Sequence, residues 1–103
     1  MQQAYSLTLL PRAVKEFDES YLWYELQIDG LGEKFADSVK SKLNNISLYP
    51  ELYGRKKGNF HEASVNKPFR YLIVYRIYKK KKEILVSSIF HTSRNPKMKY
   101  KTK

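Results

Sequence analysis

The chain has 103 residues, 42% of them hydrophobic and 15% aromatic, and carries twenty Lys/Arg against ten Asp/Glu for a net charge of +10. This composition describes one small packed domain and excludes a disordered chain or two separate cores. It has no cysteine, which excludes disulfides and thiolate metal sites, and no apolar run approaches the ~18 residues that cross a bilayer.

The opening MQQAYSLTLLPRA lacks the basic and apolar regions of a secretory leader, so a cytoplasmic location is expected. From Ala4 to Leu10 the pattern alternates. Tyr5, Leu7 and Leu9 share one face and Ser6 and Thr8 the other, which predicts a short half-buried strand. Pro11 ends it and suits the first turn of a helix, where its missing N–H costs nothing.

From Pro11 to about Ile28 the period becomes helical, with Val14, Phe17, Tyr21, Tyr24 and Ile28 on one stripe. Arg12, Lys15, Glu16, Asp18, Glu19 and Glu25 read as solvent-facing charges, and Trp23 falls off the stripe, partly exposed. Asp29-Gly30-Leu31-Gly32 breaks the helix. A second helix carries Phe35, Val39, Leu43 and Ile46 and stops at Pro50. So short a connection makes the two helices an antiparallel hairpin.

Residues 51–59 read as a loop, in which two glycines frame Arg55, Lys56 and Lys57. It is either a phosphate clamp or a solvated loop. Phe60 to Lys67 alternates weakly and predicts a strand, which Pro68 ends.

Phe69 to Pro96 is the segment on which the chain is organised. It predicts two strands joined at Lys79–Lys82, with Tyr78 opposite Glu83. That register pairs Tyr71–Phe90, Ile73–Ser88, Tyr75–Val86 and Ile77–Ile84 on the face turned to the helices. Arg70–His91, Leu72–Ile89, Val74–Ser87 and Arg76–Leu85 then fall on the outer face. Leu72, Val74, Arg76 and Ile89 make its centre apolar with a basic rim, which suits a partner segment. Either an external partner covers it, or residues 97–103 or another segment of the same chain do.

Charge is split along the sequence. Residues 1–50 hold five Lys/Arg and seven Asp/Glu, whereas residues 51–103 hold fifteen and three. The basic half, with Arg55, Lys56, Lys57, Lys67, Arg76, Lys97, Lys99 and Tyr100 as candidate contacts, fits nucleic acid or an acidic protein.

No nucleotide loop, zinc motif or nucleophile elbow is present, and neither a metal nor a cofactor is expected. The one constellation with chemistry is His91 with Arg70 and Arg94. Transfer of an RNA phosphodiester needs a base for the 2′-OH and cations for the developing charge, and these three residue types supply both. The same residues also read as a strand-end histidine beside surface arginines.

In order along the chain, GLGEKF (30–35), YPELYG (49–54), YLIVYRI (71–77) and IFHTSRNP (89–96) resemble the RelE/ParE superfamily of toxins from bacterial type II toxin–antitoxin modules. The resemblance covers nearly the whole chain. It implies an α+β fold of order β-α-α-β-β-β, with a helical hairpin on one face of a small, mainly antiparallel sheet. It implies one domain over residues 1–96 with a basic tail over 97–103, and a cognate antitoxin as partner.

Two activities divide the superfamily: RelE-like members cleave mRNA on the ribosome and ParE-like members inhibit DNA gyrase. The hairpin turn GLGEKF and the ending His91-Thr92-Ser93-Arg94-Asn95-Pro96 look ParE-like. RelE-like nucleases often carry an arginine three residues before the tyrosine that corresponds to Tyr75, and here that position is Leu72. The expectation is therefore a gyrase-binding toxin of the plasmid-stabilisation kind. The alternatives are a ribosome-dependent endoribonuclease using Arg70, His91 and Arg94, with Tyr100 as the nuclease's C-terminal tyrosine, and a non-toxic basic binding module.

Overall fold

A computed structural model describes residues 4–100. Strand β1 (Ser6–Leu9) leads into helix α1 (Pro11–Gln27) and helix α2 (Leu31–Leu48). Strands β2 (Arg55–Lys57), β3 (Phe60–Ser64), β4 (Tyr71–Tyr78) and β5 (Glu83–His91) follow, and a 3-10 turn spans Pro96–Met98. The sheet runs β1-β5-β4-β3-β2, with β1 parallel to β5 and the other pairs antiparallel. Positions 101–103 of the expected tail lie outside the described residues.

Local chemistry explains the helix boundaries. Pro11 opens α1, and Gly30 takes a left-handed φ of 88° that a side chain disfavours. Neither helix has a side-chain cap at its own N-cap residue. For α2 the carboxylate of Glu25 does that work, accepting from the N–H of Gly30 at 2.9 Å and of Gly32 at 3.0 Å. Glu25 is therefore not simply a solvent-facing charge.

The helices cover one face of the sheet. Ala13, Phe35, Val39 and Ile46 meet Ile73, Tyr75, Ile84, Val86 and Ile89 in the buried core, flanked by Phe17, Tyr21 and Tyr24. Rings of Tyr24, Phe35, Phe69 and Tyr71 stand 5.0–6.3 Å apart in tilted and edge-to-face pairs, the geometries aromatic quadrupoles favour. Tyr75 donates its hydroxyl hydrogen bond to the carbonyl of buried Pro50 at 2.7 Å, tying the sheet to the segment after α2.

Several expectations are corrected. The stripe on α1 is rotated: Val14 and Ile28 are exposed, whereas Ala13 and Glu16 are buried. Part of the expected loop 51–59 pairs with β3 as the edge strand β2. Only half of the hairpin register holds. Tyr78↔Glu83 through Tyr75↔Val86 pair as expected, but beyond them Val74 faces Ser88, Ile73 faces Ile89, Leu72 faces Phe90 and Tyr71 faces His91.

A β-bulge causes that shift. Ser87 is the extra residue, and its hydroxyl donates to the carbonyl of Val74 at 3.3 Å. A shift of one position exchanges the faces of a strand. Ile89 therefore enters the core beneath the helices, and Phe90 lies on the other face, not among the core cluster.

The outer face is not open. Val74 and Phe90 are buried. The cations of Arg94 and Lys99 lie 5.2 and 6.0 Å from the ring of Phe90. Tyr100 packs its ring on Phe60 at 5.1 Å and donates to the carboxylate of Glu62, which Lys99 also reaches at 3.2 Å. The chain's own tail thus covers part of the face that a partner was expected to meet. Burial, then the bond to Glu62, pushes the Tyr100 hydroxyl up to about 12.

Candidate functional site

Between α1 and the far end of β5 lies a cleft of about 620 Å³. Its walls are Arg12, Lys15, Glu19 and Trp23 of α1 on one side, and Tyr71, His91, Ser93 and Arg94 on the other, with Glu16 and Ile89 between them. The bulge makes this cleft, because it turns Ile89 and His91 to the helix side.

Glu16 is the residue around which the cleft closes. Strand β1 accompanies β5 only as far as Leu9↔Val86. Past that point the β5 edge has lost its neighbour, and a buried N–H there needs an acceptor. Glu16 supplies it: its carboxylate accepts from Ile89 N–H at 3.1 Å and from the Ser88 hydroxyl at 2.8 Å. Its second oxygen takes Arg12 Nε at 3.3 Å and pairs with Arg94. A buried carboxylate is tolerated only with such a set of partners.

Sequence reasoning placed Glu16 in solvent, and this is its clearest miss. A signal was present. Ala13, Glu16, Ser20 and Tyr24 follow steps of three and four, and the small Ala13 and Ser20 let α1 approach the sheet there. Ser20 accepts from the Tyr71 hydroxyl at 2.9 Å. Burial, and then Tyr71, push the Tyr24 hydroxyl up to about 12.

His91 is oriented by its own turn. Ser93 N–H, which can only donate, points at Nδ1 at 3.0 Å, and the Ser93 hydroxyl lies 2.7 Å from the same nitrogen. Nδ1 therefore accepts and Nε2 carries the ring hydrogen. The ring stands edge-on to Tyr71 at 4.9 Å. The second histidine serves structure: His61 donates from Nδ1 to the Tyr53 carbonyl at 2.8 Å and stacks on Tyr75 at 5.2 Å.

The three residues drawn for chemistry are not brought to one point. His91 and Arg94 share the cleft, but Arg70 does not line it. The expected Arg70–His91 pair is replaced by Tyr71↔His91, and Arg70 contributes its carbonyl, which accepts from Thr92 N–H at 2.9 Å. Arg94 is paired with Glu16.

The other expected contacts scatter. Arg55, Lys56 and Lys57 are exposed on edge strand β2, Lys67 is exposed in the turn before β4, and Lys97 is exposed in the 3-10 turn. Arg76 is half-buried, 5.2 Å from the Phe60 ring and 6.0 Å from the Tyr78 ring. Lys99 and Tyr100 are engaged with Glu62. Of the outer-face set, Leu72 and Arg76 are half-buried, Val74 is buried, and Ile89 lies on the helix side. Among the described residues no group of His, Asp or Glu is arranged to hold a metal ion. No helix there is long and apolar enough to cross a membrane.

Comparison with known proteins agrees with this architecture. The family described as the ParE toxin of type II toxin–antitoxin system parDE matches residues 7–96. No curated protein sequence matches. Among solved structures, a chain of the chromosomal ParDE toxin–antitoxin system from P. aeruginosa superposes with a TM-score of 0.72 at 14% identity, covering 85% of this chain and 96% of that one. A mutant of the E. coli toxin RelE in the free state gives 0.64 at 22% identity, covering 86% and 84%. The intact E. coli RelBE toxin–antitoxin complex contains a chain at 0.66 and 22% identity, covering 88% and 100%. Likeness at these identities is a likeness of fold.

Proposed function

This chain belongs to the ParE toxin family of type II toxin–antitoxin systems, and from that premise we propose that it arrests growth by binding DNA gyrase in the cytoplasm, without catalysis of its own, until a cognate antitoxin neutralises it. The observation that carries this reading is the dispersal of Arg70, His91 and Arg94. Cleavage of a phosphodiester needs a base and unspent cations focused on one phosphate. Here Arg94 is paired with Glu16, His91 directs Nδ1 into its own turn, and Arg70 stands outside the cleft. Leu72 occupies the position where a nuclease of the superfamily often has arginine.

A binding toxin needs accessible cations and not an assembled triad. Arg55, Lys56, Lys57, Lys67 and Lys97 are exposed and serve as target contacts in this reading, with Arg76, Lys99 and Tyr100 flanking them. On the outer face, Leu72 and Arg76 are the members of the set Leu72, Val74, Arg76 and Ile89 that an antitoxin reaches first.

The test is a supercoiling assay with purified gyrase. Inhibition at micromolar toxin, retained in Arg70→Ala and His91→Ala, is the expected result. An unaffected gyrase, with mRNA ends that appear on induction and vanish in those variants, would replace this reading with the ribosome-dependent nuclease. Unimpaired growth on expression without antitoxin would leave a non-toxic binding module.

A further inference from the structure

Two basic segments meet at one end of the sheet. The turn between β4 and β5 is made of Lys79, Lys80, Lys81 and Lys82, all exposed. Strand β2 is Arg55, Lys56 and Lys57, also exposed. Strand β3 starts beside the end of β4, with His61 facing Tyr75, so the β2–β3 turn and the lysine turn project from the same end. Arg55 and Lys79 wall one cleft of about 360 Å³ there, which joins the two segments.

Turn geometry does not ask for these lysines. Lys82 takes a left-handed φ of 52°, a conformation that glycine or asparagine adopts at lower cost. Four adjacent cations also repel one another. Little nearby offsets them. Glu51 pairs with Lys79, and the Lys82 ammonium lies 5.5 Å from the Tyr5 ring. Among the described residues no carboxylate pairs with Lys80, Lys81, Arg55 or Lys56.

Spacing and residue type decide what fits. From β2 to β5 is three strand spacings, about 14 Å. The major groove of duplex DNA is ~12 Å wide, with a phosphate strand along each rim. Lys56 and Lys57 on one side and Lys80 and Lys81 on the other therefore reach both rims together. An acidic peptide would want apolar anchors besides charge, and neither the lysine turn nor β2 carries an apolar side chain. A single strand would want open rings for its bases. The rings nearby are engaged: Phe60 with Tyr100, Tyr78 with Arg76 and Tyr5 with Lys82.

We infer that the lysine turn and strand β2 form a docking surface for the phosphate backbone of duplex DNA, without base readout. Lysines suit this task, because each is a point charge on a flexible stem that follows phosphates of any sequence. Three of these cations are target contacts in the gyrase reading. The surface makes them contacts to the DNA on which gyrase works, and that last step alone rests on that reading.

The test is fluorescence anisotropy of a short, labelled DNA duplex of mixed sequence, titrated with the full chain from about 50 to 200 mM salt. Binding is expected, with log K falling against log salt at a slope of about −4 to −5, the value for about five neutralised phosphates. The double variant Lys80→Gln/Lys81→Gln changes only exposed side chains. It should weaken binding about tenfold or more and flatten the slope by about 2. Lys34→Gln, an exposed cation of α2, should leave both unchanged. Absent binding, or a slope that the double variant does not move, would overturn the proposal. So would tighter binding of a single strand of equal length, or of a polyglutamate of equal charge, which would make the partner a single-stranded nucleic acid or an acidic protein.

The supercoiling assay separates this surface from the gyrase reading. Gyrase inhibited by a chain that does not bind the duplex would remove the surface and keep the target. Duplex binding with the expected slope and an unaffected gyrase would keep the surface and remove the target.

Discussion

Glu16 of α1 and Arg94 of the turn after β5 form an ion pair across 78 positions of sequence, on the carboxylate that also satisfies the open edge of β5. This pair joins the helix hairpin to the last turn of the sheet, and it closes the cleft beside His91.

Removing the carboxylate is therefore expected to cost more than removing the cation. Glu16→Ala strands Ile89 N–H and the Ser88 hydroxyl and removes the carboxylate that Arg12 and Arg94 share, a loss of about 3 kcal/mol. Arg94 is 41% exposed and regains water, so Arg94→Ala should lose about 1 kcal/mol. Glu16→Gln keeps a carbonyl acceptor and should fall between them. Urea denaturation midpoints of the three variants check the order.

The hydroxyl of Tyr75 offers a narrower test. It lies fully buried and donates to the Pro50 carbonyl at 2.7 Å. Tyr75→Phe leaves that acceptor unpaired while keeping the ring, so a loss of about 1–2 kcal/mol is expected. The same denaturation experiment reads it, and an unchanged midpoint would mean that water replaces the lost donor.

Gly32 is required by proximity. A Cβ built there would sit 2.8 Å from the carbonyl oxygen of Tyr21 and 3.0 Å from Cβ of Glu25, on the facing helix. Gly32→Ala must push the helices apart and disturb the Glu25 cap, at a cost of about 2–3 kcal/mol. Alanine at Gly54, where nothing lies within 4 Å, is the control and should be tolerated.

Alkaline pH should weaken the fold in a defined window. Burial, with Tyr71 second, raises Tyr24 from 10.0 to about 12, and burial with Glu62 raises Tyr100 to about 12. A hydroxyl whose pKa is higher in the fold holds its proton there after the unfolded chain has released it. The stabilisation is complete below pH 10 and is lost as pH rises through about 12. Denaturation midpoints followed across this window should fall, and Tyr24→Phe should flatten the slope.

The tail reports on the same chemistry. Glu62→Gln removes the charge that Lys99 and Tyr100 share. Trypsin cleavage after Lys97 and Lys99 should then become faster at neutral pH, read by mass spectrometry against the wild type. Equal rates would mean that the ring contacts of Tyr100 with Phe60 hold the tail alone.

Much of the architecture was legible in the residues because it depends on local periodicity. The change from period two to helical spacing at Pro11, the break at Asp29–Gly30 and the lysine turn at Lys79–Lys82 each depend on neighbours in sequence, and each stands in the structure. Motif order along the chain carried the family. The decisive errors lay where distant segments meet. Nothing near Ser87 announces the bulge, which arises from how β4 and β5 accommodate each other and which reverses Ile89, Phe90 and His91. Glu16 has the composition of a surface charge, and only the arrival of β5 beneath α1, one strand short of a neighbour, makes it a buried acceptor. By itself the sequence determined both helices, the strands other than β2, their order and the family. The tertiary structure alone decided which side of the sheet each functional side chain occupies, because a single unpaired residue inverts a strand and a missing neighbour strand recruits a carboxylate.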